Sequence, residues 1–296
     1  MAARLIFNPA AGQGKAQALF AEIQPYLDDT VDVVRTQGPG HATELAREVA
    51  DQEDLTVISL GGDGTHHEVI NGLMPLGKAT FAVLPAGTGN DFVRILSYPK
   101  TAREMLDVAL HGRQQYLDIG LANDQYFLTV SGVGFDAEVA GWVNAHDKKG
   151  NGTWIFLRGI LRHLVRYQSA PMTVFHQNQS ESQNTFMLAA GNTRYYAGGM
   201  SICPGAVVDD GRFQVIWVKD LPRLGVLPLL ARVFRGTHVH HRAVKSFDTD
   251  ALRIEGPPQM LVHADGEIIG HLPVTMSVIH NAIRVRMGGS HGALAD

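Results

Sequence analysis

A glycine-rich stretch with a single acid is the part of the sequence best suited to chemistry. It reads Gly61, Gly62, Asp63, Gly64 and Thr65, directly after an apolar run that predicts a strand. Glycine lets the backbone adopt positive φ angles and approach a ligand closely, because no Cβ stands in the way. A strand, a glycine turn and a helix in this order direct backbone N–H groups outward, which suits phosphate oxygens.

Asp63 does not fit a site for a bare phosphate, since a carboxylate would repel it. Its expected role is to hold a cation that bridges the phosphates, directly or through water, so the stretch predicts a Mg-nucleotide site. The alternative is a tight strand-to-helix connection in which the glycines serve geometry alone. Asp63 and Thr65 favour the nucleotide site, because a purely structural turn needs no acid between glycines.

Alternating strand and helix signals surround this turn in the first part of the chain. The predicted strands cover 4–7, 31–35, 55–60 and 80–84, and the predicted helices begin at Lys15, Ala42, His66 and Phe92. Strands separated by helices at this spacing indicate a mostly parallel sheet that is covered on both faces. Ligands of such sheets bind beyond the carboxyl ends of the strands.

Three polar turns follow predicted strands, at 8–15, 61–65 and 87–91, and we expect their chemistry to converge. The first turn fits neither of two familiar phosphate loops. A Walker loop would need glycine at Pro9, and a dinucleotide fingerprint would need glycine at Gln17. A P-loop NTPase or a Rossmann dehydrogenase is therefore disfavoured.

The composition is that of an ordinary globular protein of 296 residues, and its formal charge of -4 gives no reason to expect a nucleic-acid partner. The single cysteine, Cys203, excludes an internal disulfide and is typical of a reducing compartment. No apolar run approaches the roughly 20 residues of a membrane span, and no signal peptide is recognisable. We therefore expect a cytoplasmic protein.

Past Leu110 the pattern changes to strand-like segments between turn-rich stretches. These segments cover 126–130, 172–175, 185–189, 213–218, 252–254, 274–278 and 282–286. The predicted fold is an N-terminal doubly wound α/β domain with a mostly parallel sheet, followed by an antiparallel β-sandwich-like domain. The predicted domains are 1–120 and 121–296, and the C-terminal segment could return to the first.

The ordered set of motifs resembles the diacylglycerol kinase catalytic-domain family, and in particular its bacterial lipid kinase branch. This family is related to sphingosine and ceramide kinases and more distantly to NAD kinase and phosphofructokinase. The motifs are Asn8-Pro9 with Gly12 and Gly14-Lys15, Thr36 with His41-Ala42, the turn 61–65, the run 84–92, Gly191-Asn192 with Gly198-Gly199, 209–211 and 265–267. NAD kinases and phosphofructokinases use a similar Gly-Gly-Asp-Gly element. The turn 87–91 and the late Asp265-Gly266-Glu267 favour lipid kinases.

The resemblance implies transfer of the γ-phosphoryl group of Mg-ATP to the hydroxyl of diacylglycerol or a related lipid, in a cleft between the two domains. Glu267 and Asp63 are the implied catalytic residues, with Glu267 as the general base. An ordinary hairpin is the alternative for Glu267, because Asp-Gly is a common hairpin turn. The implied nucleotide-binding residues are Asn8, Thr36, Gly61, Gly62, Asp63, Gly64, Thr65, His66, His67, Gly87, Thr88 and Asn90.

The resemblance also implies two magnesium sites. The implied ligands are Asp63, Asp91 and Asp118 for the catalytic ion, and Asp210 with main-chain oxygens of Val207 and Arg212 for a structural ion. Carboxylates and carbonyls are suitable ligands for this hard cation. Two positions depart from the family pattern: Arg212 is often aliphatic in relatives, and His67 is asparagine in some of them.

The stretch 154–167 is a candidate for contact with a membrane. Arg158, Arg162 and Arg166 share one helix face, and Ile160, Leu161, Leu164 and Val165 form an apolar flank. Such a helix could lie in an anionic interface, or it could pack on the sandwich with a basic outer face. Arg223, Arg232, Arg235, Arg242 and Lys245 form a second basic region.

The expected partner is thus a lipid alcohol at a membrane surface, which the protein contacts only peripherally. Whether the protein forms a homodimer is left open by the sequence. For His238 and His240 we favour a solvated surface over a metal site, because no acid or cysteine completes a ligand set. Two other functions remain: a kinase of a soluble acceptor such as NAD, and a non-catalytic nucleotide-binding regulator. Intact Asp63 and Glu267 argue against the regulator.

Overall fold

A computed structural model of the chain describes residues 2–145 and 152–289. The chain forms two units, one made of Met1–Leu117 with Asn281–Asp296 and the other of Asp118–His280. Most backbone pairing in the first unit is parallel, and most in the second is antiparallel. The expected fold class, an α/β domain followed by a β domain, is therefore confirmed.

The first unit is a parallel sheet with helices in the connections. Its elements in chain order are β1 (Ala3–Phe7), α1 (Lys15–Ile23), β2 (Val31–Arg35), α2 (His41–Arg47), β3 (Thr56–Gly61), α3 (Asp63–Leu73), β4 (Thr80–Pro85) and α4 (Ala102–His111). The sheet order is β2-β1-β3-β4, and all these pairs are parallel. Every residue of β3 is buried, as expected for a central parallel strand that is covered on both faces.

The helix predicted from Phe92 is wrong in extent. Only a short 3₁₀ helix forms there, Phe92–Ile95, and α4 begins ten residues after Phe92. The left-handed φ of 54° at Ser97 interrupts the helical path, and Pro99 disfavours the helical conformation of the residue before it. Thr101 then caps α4, since its side chain accepts the N–H of Glu104.

The second unit is built on antiparallel strands. Its strands, two of which extend past its boundaries, are β5 (Arg113–Ala122), β6 (Gln125–Phe127), β7 (Val130–Gly134), β8 (Ala170–His176), β9 (Gln179–Gly191), β10 (Tyr195–Tyr196), β11 (Met200–Ser201), β12 (Phe213–Lys219), β13 (Val244–Thr249), β14 (Ala251–Glu255), β15 (Leu261–Ala264), β16 (Glu267–His271) and β17 (Val274–Met287). The first half of β9 pairs with β8, and its second half pairs with β7 and β12. This long strand therefore links two parts of the sandwich.

Two strand boundaries differ from the sequence prediction. The segment 126–130 is divided between β6 and β7, because Leu128 and Thr129 bind the side chain of Asp265 instead of a neighbouring strand. The segments 274–278 and 282–286 are one continuous strand, β17, although Asn281 within it has a φ of 52°. Asparagine tolerates this left-handed conformation better than most residues.

Three helices of the second unit pack on its strands: α5 (Phe135–Ala145), α6 (Gly152–Leu164) and α7 (Arg223–Val233). Only α6 was anticipated. The sequence pattern did not indicate α7, because Pro228 lies inside it and proline disfavours a helix interior. In the part of the chain that the structure describes, no helix is long and apolar enough to cross a membrane.

Candidate active site

The three polar turns of the first unit meet at the carboxyl ends of β1, β3 and β4, as expected. Asn8 Nδ2 donates a hydrogen bond of 2.9 Å to Thr65 Oγ1. The carboxylate of Asp63 accepts two backbone N–H groups from the third turn, at 2.8 Å from Asn90 and 3.0 Å from Asp91. Asp63 thus ties the glycine turn after β3 to the turn after β4.

The glycines of the turns at 61–65 and 87–91 serve close approach and not positive φ, which corrects the expectation for the stretch 61–65. Gly61 ends β3, Gly62 has a φ of −100°, and Gly64 lies within α3. A Cβ on Gly87 would lie 2.8 Å from the Cα of Gly62 and 2.8 Å from Asn90 Oδ1. Two main chains therefore pass each other where no side chain fits.

The other expected nucleotide-binding residues lie near these turns with different exposure. Thr88 is exposed, whereas Thr36 is buried and its N–H donates to Phe7 O. His66 is fully buried, and its Nδ1 lies 2.7 Å from Ser59 Oγ. The His66 side chain therefore packs against β3 in the interior. His67 is 7% exposed and lies beside Asn71.

The expected metal ligands fall into two groups. In the first unit, Asp91 lies next in sequence to Asn90, which donates to Asp63. The Oδ1 of Asp91 lies 3.5 Å from the Nε of Arg94. In the second unit, Asp118 is fully buried and accepts the Gly211 N–H at 2.6 Å. Among the described residues, no group of three or more acids, histidines or cysteines is arranged to hold a metal ion.

Asp118 lies next to the turn that carries Val207, Asp210 and Arg212. Its backbone N–H donates to Val208 O, and its Oδ1 lies 2.8 Å from His280 Nδ1. Partial burial raises the pKa of the Asp210 carboxyl, and the charge of Asp118 raises it further, while the N–H of Arg212 opposes this. The negative charge that Asp118 adds beside Asp210 also attracts a cation.

Asp265 and Gly266 form a two-residue hairpin turn between β15 and β16, and Glu267 is the first residue of β16. Asp265 has a φ of 52° and Gly266 of 86°, and Ala264 pairs with Glu267. The hairpin geometry considered as the alternative is therefore present. The turn is also anchored from outside, because Asp265 accepts the N–H groups of Leu128 at 2.8 Å and Thr129 at 2.7 Å.

Glu267 is held by a residue that the sequence analysis missed. Asn144 on α5 donates from Nδ2 to Glu267 Oε2 at 3.1 Å and to Gly266 O at 2.8 Å. Glu267 itself is half-buried. No local pattern links the two residues, since they lie 123 positions apart. The side-chain clamp places the carboxylate in a defined orientation at the end of the hairpin.

An apolar cavity lies within the second unit and leaves about 50 Å³ for the centres of water-sized molecules. Its walls come from α5, α6, α7 and the strands beneath them, and they include Phe135, Phe156, Phe186, Ile160 and Leu229. An apolar lining of this kind is typical of small-molecule sites. Asp136 and His238 also line it.

His238 is not on a solvated surface or on a strand, which corrects that expectation. It lies in the 3₁₀ helix Thr237–His240, is fully buried, and its Nε2 lies 2.9 Å from Ile202 O. Burial lowers the pKa of His238 below the ordinary value of 6.5. His240 is exposed and His241 is half-buried.

Comparison with known proteins identifies the family. The family model described as the diacylglycerol kinase catalytic domain matches residues 2–122, and that described as the YegS C-terminal NAD kinase beta sandwich-like domain matches residues 129–287. A diacylglycerol kinase of Mycobacterium tuberculosis (strain H37Rv) is 31% identical, with 94% of this chain and 92% of the relative covered. One of Staphylococcus carnosus is 28% identical over 96% of this chain and 94% of the relative.

A solved structure described as a diacylglycerol kinase from Bacillus anthracis matches with a TM-score of 0.80 at 26% identity, and 97% of each chain is covered. The matched catalytic domain and the two-unit fold define a lipid kinase. The chain belongs to the diacylglycerol kinase catalytic-domain family, and the resemblance drawn from its motifs is confirmed.

Proposed function

We propose that this lipid kinase uses ATP and transfers its γ-phosphoryl group to the hydroxyl of diacylglycerol or a related lipid. The proposed use of ATP rests on the contacts of Asp63. Its single carboxylate holds two glycine turns together at the ends of β3 and β4. Phosphoryl transfer depends mainly on positioning and charge neutralisation, so rigid main-chain turns at the N-terminus of α3 suit the phosphates.

Mg²⁺ is part of the proposal. The Asp63 carboxylate accepts the backbone N–H of Asp91, so both acids lie beside these turns. Mg²⁺ in kinases is commonly held by one or two carboxylates together with substrate phosphates. The pair therefore fits such an ion without a larger protein cage. Bound there, Mg²⁺ would neutralise charge on the phosphates. A second, structural ion beside Asp210 and Asp118 stays a prediction, supported by the negative charge that Asp118 adds beside Asp210.

The apolar cavity supports a lipid acceptor over a soluble one. A cavity walled by aromatic and aliphatic side chains gives little binding energy to the charged groups of NAD, but its walls suit hydrocarbon such as the end of an acyl chain. Glu267 is the proposed general base for the lipid hydroxyl, because Asn144 holds its carboxylate in one orientation at the end of the hairpin.

A membrane surface is the proposed source of the lipid. The helices α6 and α7, which wall the cavity, also carry exposed apolar side chains: Leu161 is 51% exposed and Leu224 83%. Val165, directly after α6, is 65% exposed. Exposed arginines accompany them, among them Arg158 and Arg162. Apolar residues flanked by cations favour an anionic lipid interface.

Transfer of labelled phosphate tests the reaction. The protein would be given Mg-ATP labelled in the γ-phosphate together with diacylglycerol, monoacylglycerol, ceramide, sphingosine or phosphatidylglycerol in mixed micelles, or with NAD alone. We expect label in one lipid class. Label in NAD alone would identify a kinase of a soluble acceptor, and ATP binding without transfer to any acceptor in the panel would contradict the proposal.

Glu267→Gln tests the base. Removal of the carboxylate should lower kcat by about 100-fold or more, since general-base catalysis contributes factors of about 10² to 10⁴, while the Kd for ATP changes little. Glu255→Gln is the matched control, because Glu255 is an exposed acid in the same unit that pairs with Arg253. Near-normal turnover by Glu267→Gln would refute the base assignment.

Vesicle sedimentation tests the membrane surface. Leu224→Glu should weaken binding to vesicles of phosphatidylglycerol and phosphatidylcholine by about tenfold or more, because a buried leucine side chain contributes about 1.5 to 3 kcal/mol. The control is Leu76→Glu, since Leu76 is 56% exposed but lies in the other unit. Equal loss in both variants would argue against a surface formed by α6 and α7.

A further inference from the structure

A buried acid and a buried histidine lie directly behind the Glu267 turn. His263 Nε2 is 3.2 Å from Asp136 Oδ2, and each side chain is only 2% exposed. Asp136 lies in the first turn of α5, where the helix dipole favours a negative charge. Its other oxygen accepts the N–H of Ala137. Both oxygens of the buried carboxylate therefore have a hydrogen-bond partner.

The backbone of the hairpin fixes the proton position on His263. The Gly266 N–H points to His263 Nδ1 at 3.3 Å, and a backbone N–H can only donate. Nδ1 must therefore be the unprotonated nitrogen, and Nε2 carries the proton and donates it to Asp136. Asp136 thus selects the tautomer whose other nitrogen can hold the turn.

Space for the pair depends on Gly132 in β7, which is paired with His263. A Cβ there would lie 2.1 Å from Asp136 Oδ2 and 2.7 Å from His263 Nε2. The pair is also fixed through the main chain, because Ser131 Oγ donates to the His263 carbonyl at 2.7 Å. The imidazole therefore has little freedom to rotate.

The same helix contacts the turn at two points. Asp136, in the first turn of α5, reaches the hairpin through His263, and Asn144, near the end of the helix, contacts Gly266 and Glu267 directly. At 1.5 Å per residue these two side chains are separated by about 12 Å along the axis. A rigid helix attached at two points restricts both the position and the tilt of the turn.

We propose that His263, oriented by Asp136, is a positioning residue that holds Gly266 and thereby places the Glu267 carboxylate for proton transfer. This inference rests on the proposed role of Glu267 as general base. His263 does not touch the substrate. It acts through one backbone hydrogen bond, so its loss should reduce kcat and leave the KM values for ATP and lipid nearly unchanged.

Two substitutions separate positioning from stability. His263→Asn places an amide oxygen near the position of Nδ1 and can still accept from Gly266, but it leaves Asp136 Oδ2 without its donor. His263→Gln places an amide N–H near the position of Nε2 and can still serve Asp136, but it loses the bond to Gly266. His271→Gln is the control, since His271 is exposed in the same hairpin.

The two variants should rank in opposite order for activity and for stability. His263→Gln should melt close to the wild type and lose about 10- to 100-fold in kcat, since a misplacement on the order of 1 Å has costs of this size. His263→Asn should melt lower, because one oxygen of the buried Asp136 carboxylate loses its donor, yet retain more kcat at low temperature. Activity losses that simply follow the melting temperatures would overturn the proposal.

Nuclear magnetic resonance of protein labelled with ¹⁵N-histidine gives a readout that does not depend on activity. His263, assigned by its absence in His263→Gln, should show the neutral Nε2–H tautomer at pH 7.5, and the Gly266 amide should exchange faster in His263→Gln only. An Nδ1–H tautomer or an imidazolium would overturn the proposal. If the wild type phosphorylates no lipid, the proposed function fails, and these two signals still decide the positioning of the turn.

Discussion

Two aspartates in different units, Asp63 and Asp265, make the same kind of contact at sites with different proposed roles. Each accepts the N–H groups of two consecutive residues that are distant in sequence, Asn90 and Asp91 in one case, and Leu128 and Thr129 in the other. Hydrogen bonds to a charged acceptor contribute about 1.5 to 3 kcal/mol each, more than neutral ones. A single carboxylate can therefore fix the distance between two loops.

The surroundings of the two acids differ. Around Asp63 the second turn approaches so closely that a glycine is required at Gly87, and the contacts are made largely by main chain. The Asp265 turn is instead held by side chains, from Asn144 and His263. Main-chain N–H groups suit the phosphates of a nucleotide, whereas the side chains of Asn144 and His263 fix one particular carboxylate, that of Glu267. The comparison predicts that substitutions will affect nucleotide binding in the first case and turnover in the second.

Asp63→Asn should have the largest effect. An amide cannot accept two N–H groups with both of its polar atoms, so the two glycine turns should separate, and a candidate Mg²⁺ ligand is lost as well. We expect kcat/KM to fall by about 100-fold or more, with weaker ATP binding measured by calorimetry. Asp51→Asn, an exposed acid of the same unit, should leave both quantities unchanged. Normal ATP affinity in Asp63→Asn would remove the distinction between the two turns.

Asp265→Asn should reduce kcat by about tenfold and destabilise the protein by about 1 to 3 kcal/mol, since it loses charge-assisted bonds to two N–H groups and to Thr129 Oγ1. ATP affinity should stay normal, in contrast to Asp63→Asn. Steady-state kinetics and urea unfolding would check both parts. A large loss of ATP affinity would show that the two acids do not serve separate steps.

Gly87→Ala should produce a smaller change in the same direction as Asp63→Asn. The added methyl group meets Gly62 Cα and Asn90 Oδ1, so the turns must shift by several tenths of an ångström. We expect the KM for ATP to rise by several-fold to about tenfold. Gly38→Ala is the matched control, because a Cβ there meets nothing within 4 Å. An unchanged KM would mean that the close approach of the two turns is not needed for nucleotide binding.

His238 serves neither turn and should give the smallest effect, seen only in the pH dependence of stability. Burial holds its pKa below 6.5 in the folded state. The unfolded chain therefore binds more protons as the pH falls through 6.5, and the free energy of unfolding should decrease on acidification by at most about 1.4 kcal/mol per pH unit. In His238→Gln, urea unfolding between pH 7.5 and 5.5 should show a shallower decrease. An equal slope in both proteins would contradict this assignment.

The sequence predicted the class of fold and the three converging turns, because hydrophobic periodicity and glycine placement are local signals. It did not predict α7, since Pro228 obscured the helical pattern. Nor did it predict the contacts of Asn144 and His263, which depend on how α5 packs against the hairpin. The solvated surface that it favoured for His238 was wrong, because the exposure of a short polar segment is set by tertiary packing and not by composition.

The returning C-terminal strand has a consequence for synthesis of the protein. The end of β17 pairs with β4 through Val285 and Phe81, and Arg286 donates to the Gly112 carbonyl, so the first unit draws on both ends of the chain. A ribosome adding about 5 to 20 residues per second needs on the order of ten seconds or more between Leu117 and Asn281. During that interval β4 lacks its neighbour, and an unpaired strand edge invites aggregation. Chaperone binding to the nascent chain should therefore persist until the last strand emerges.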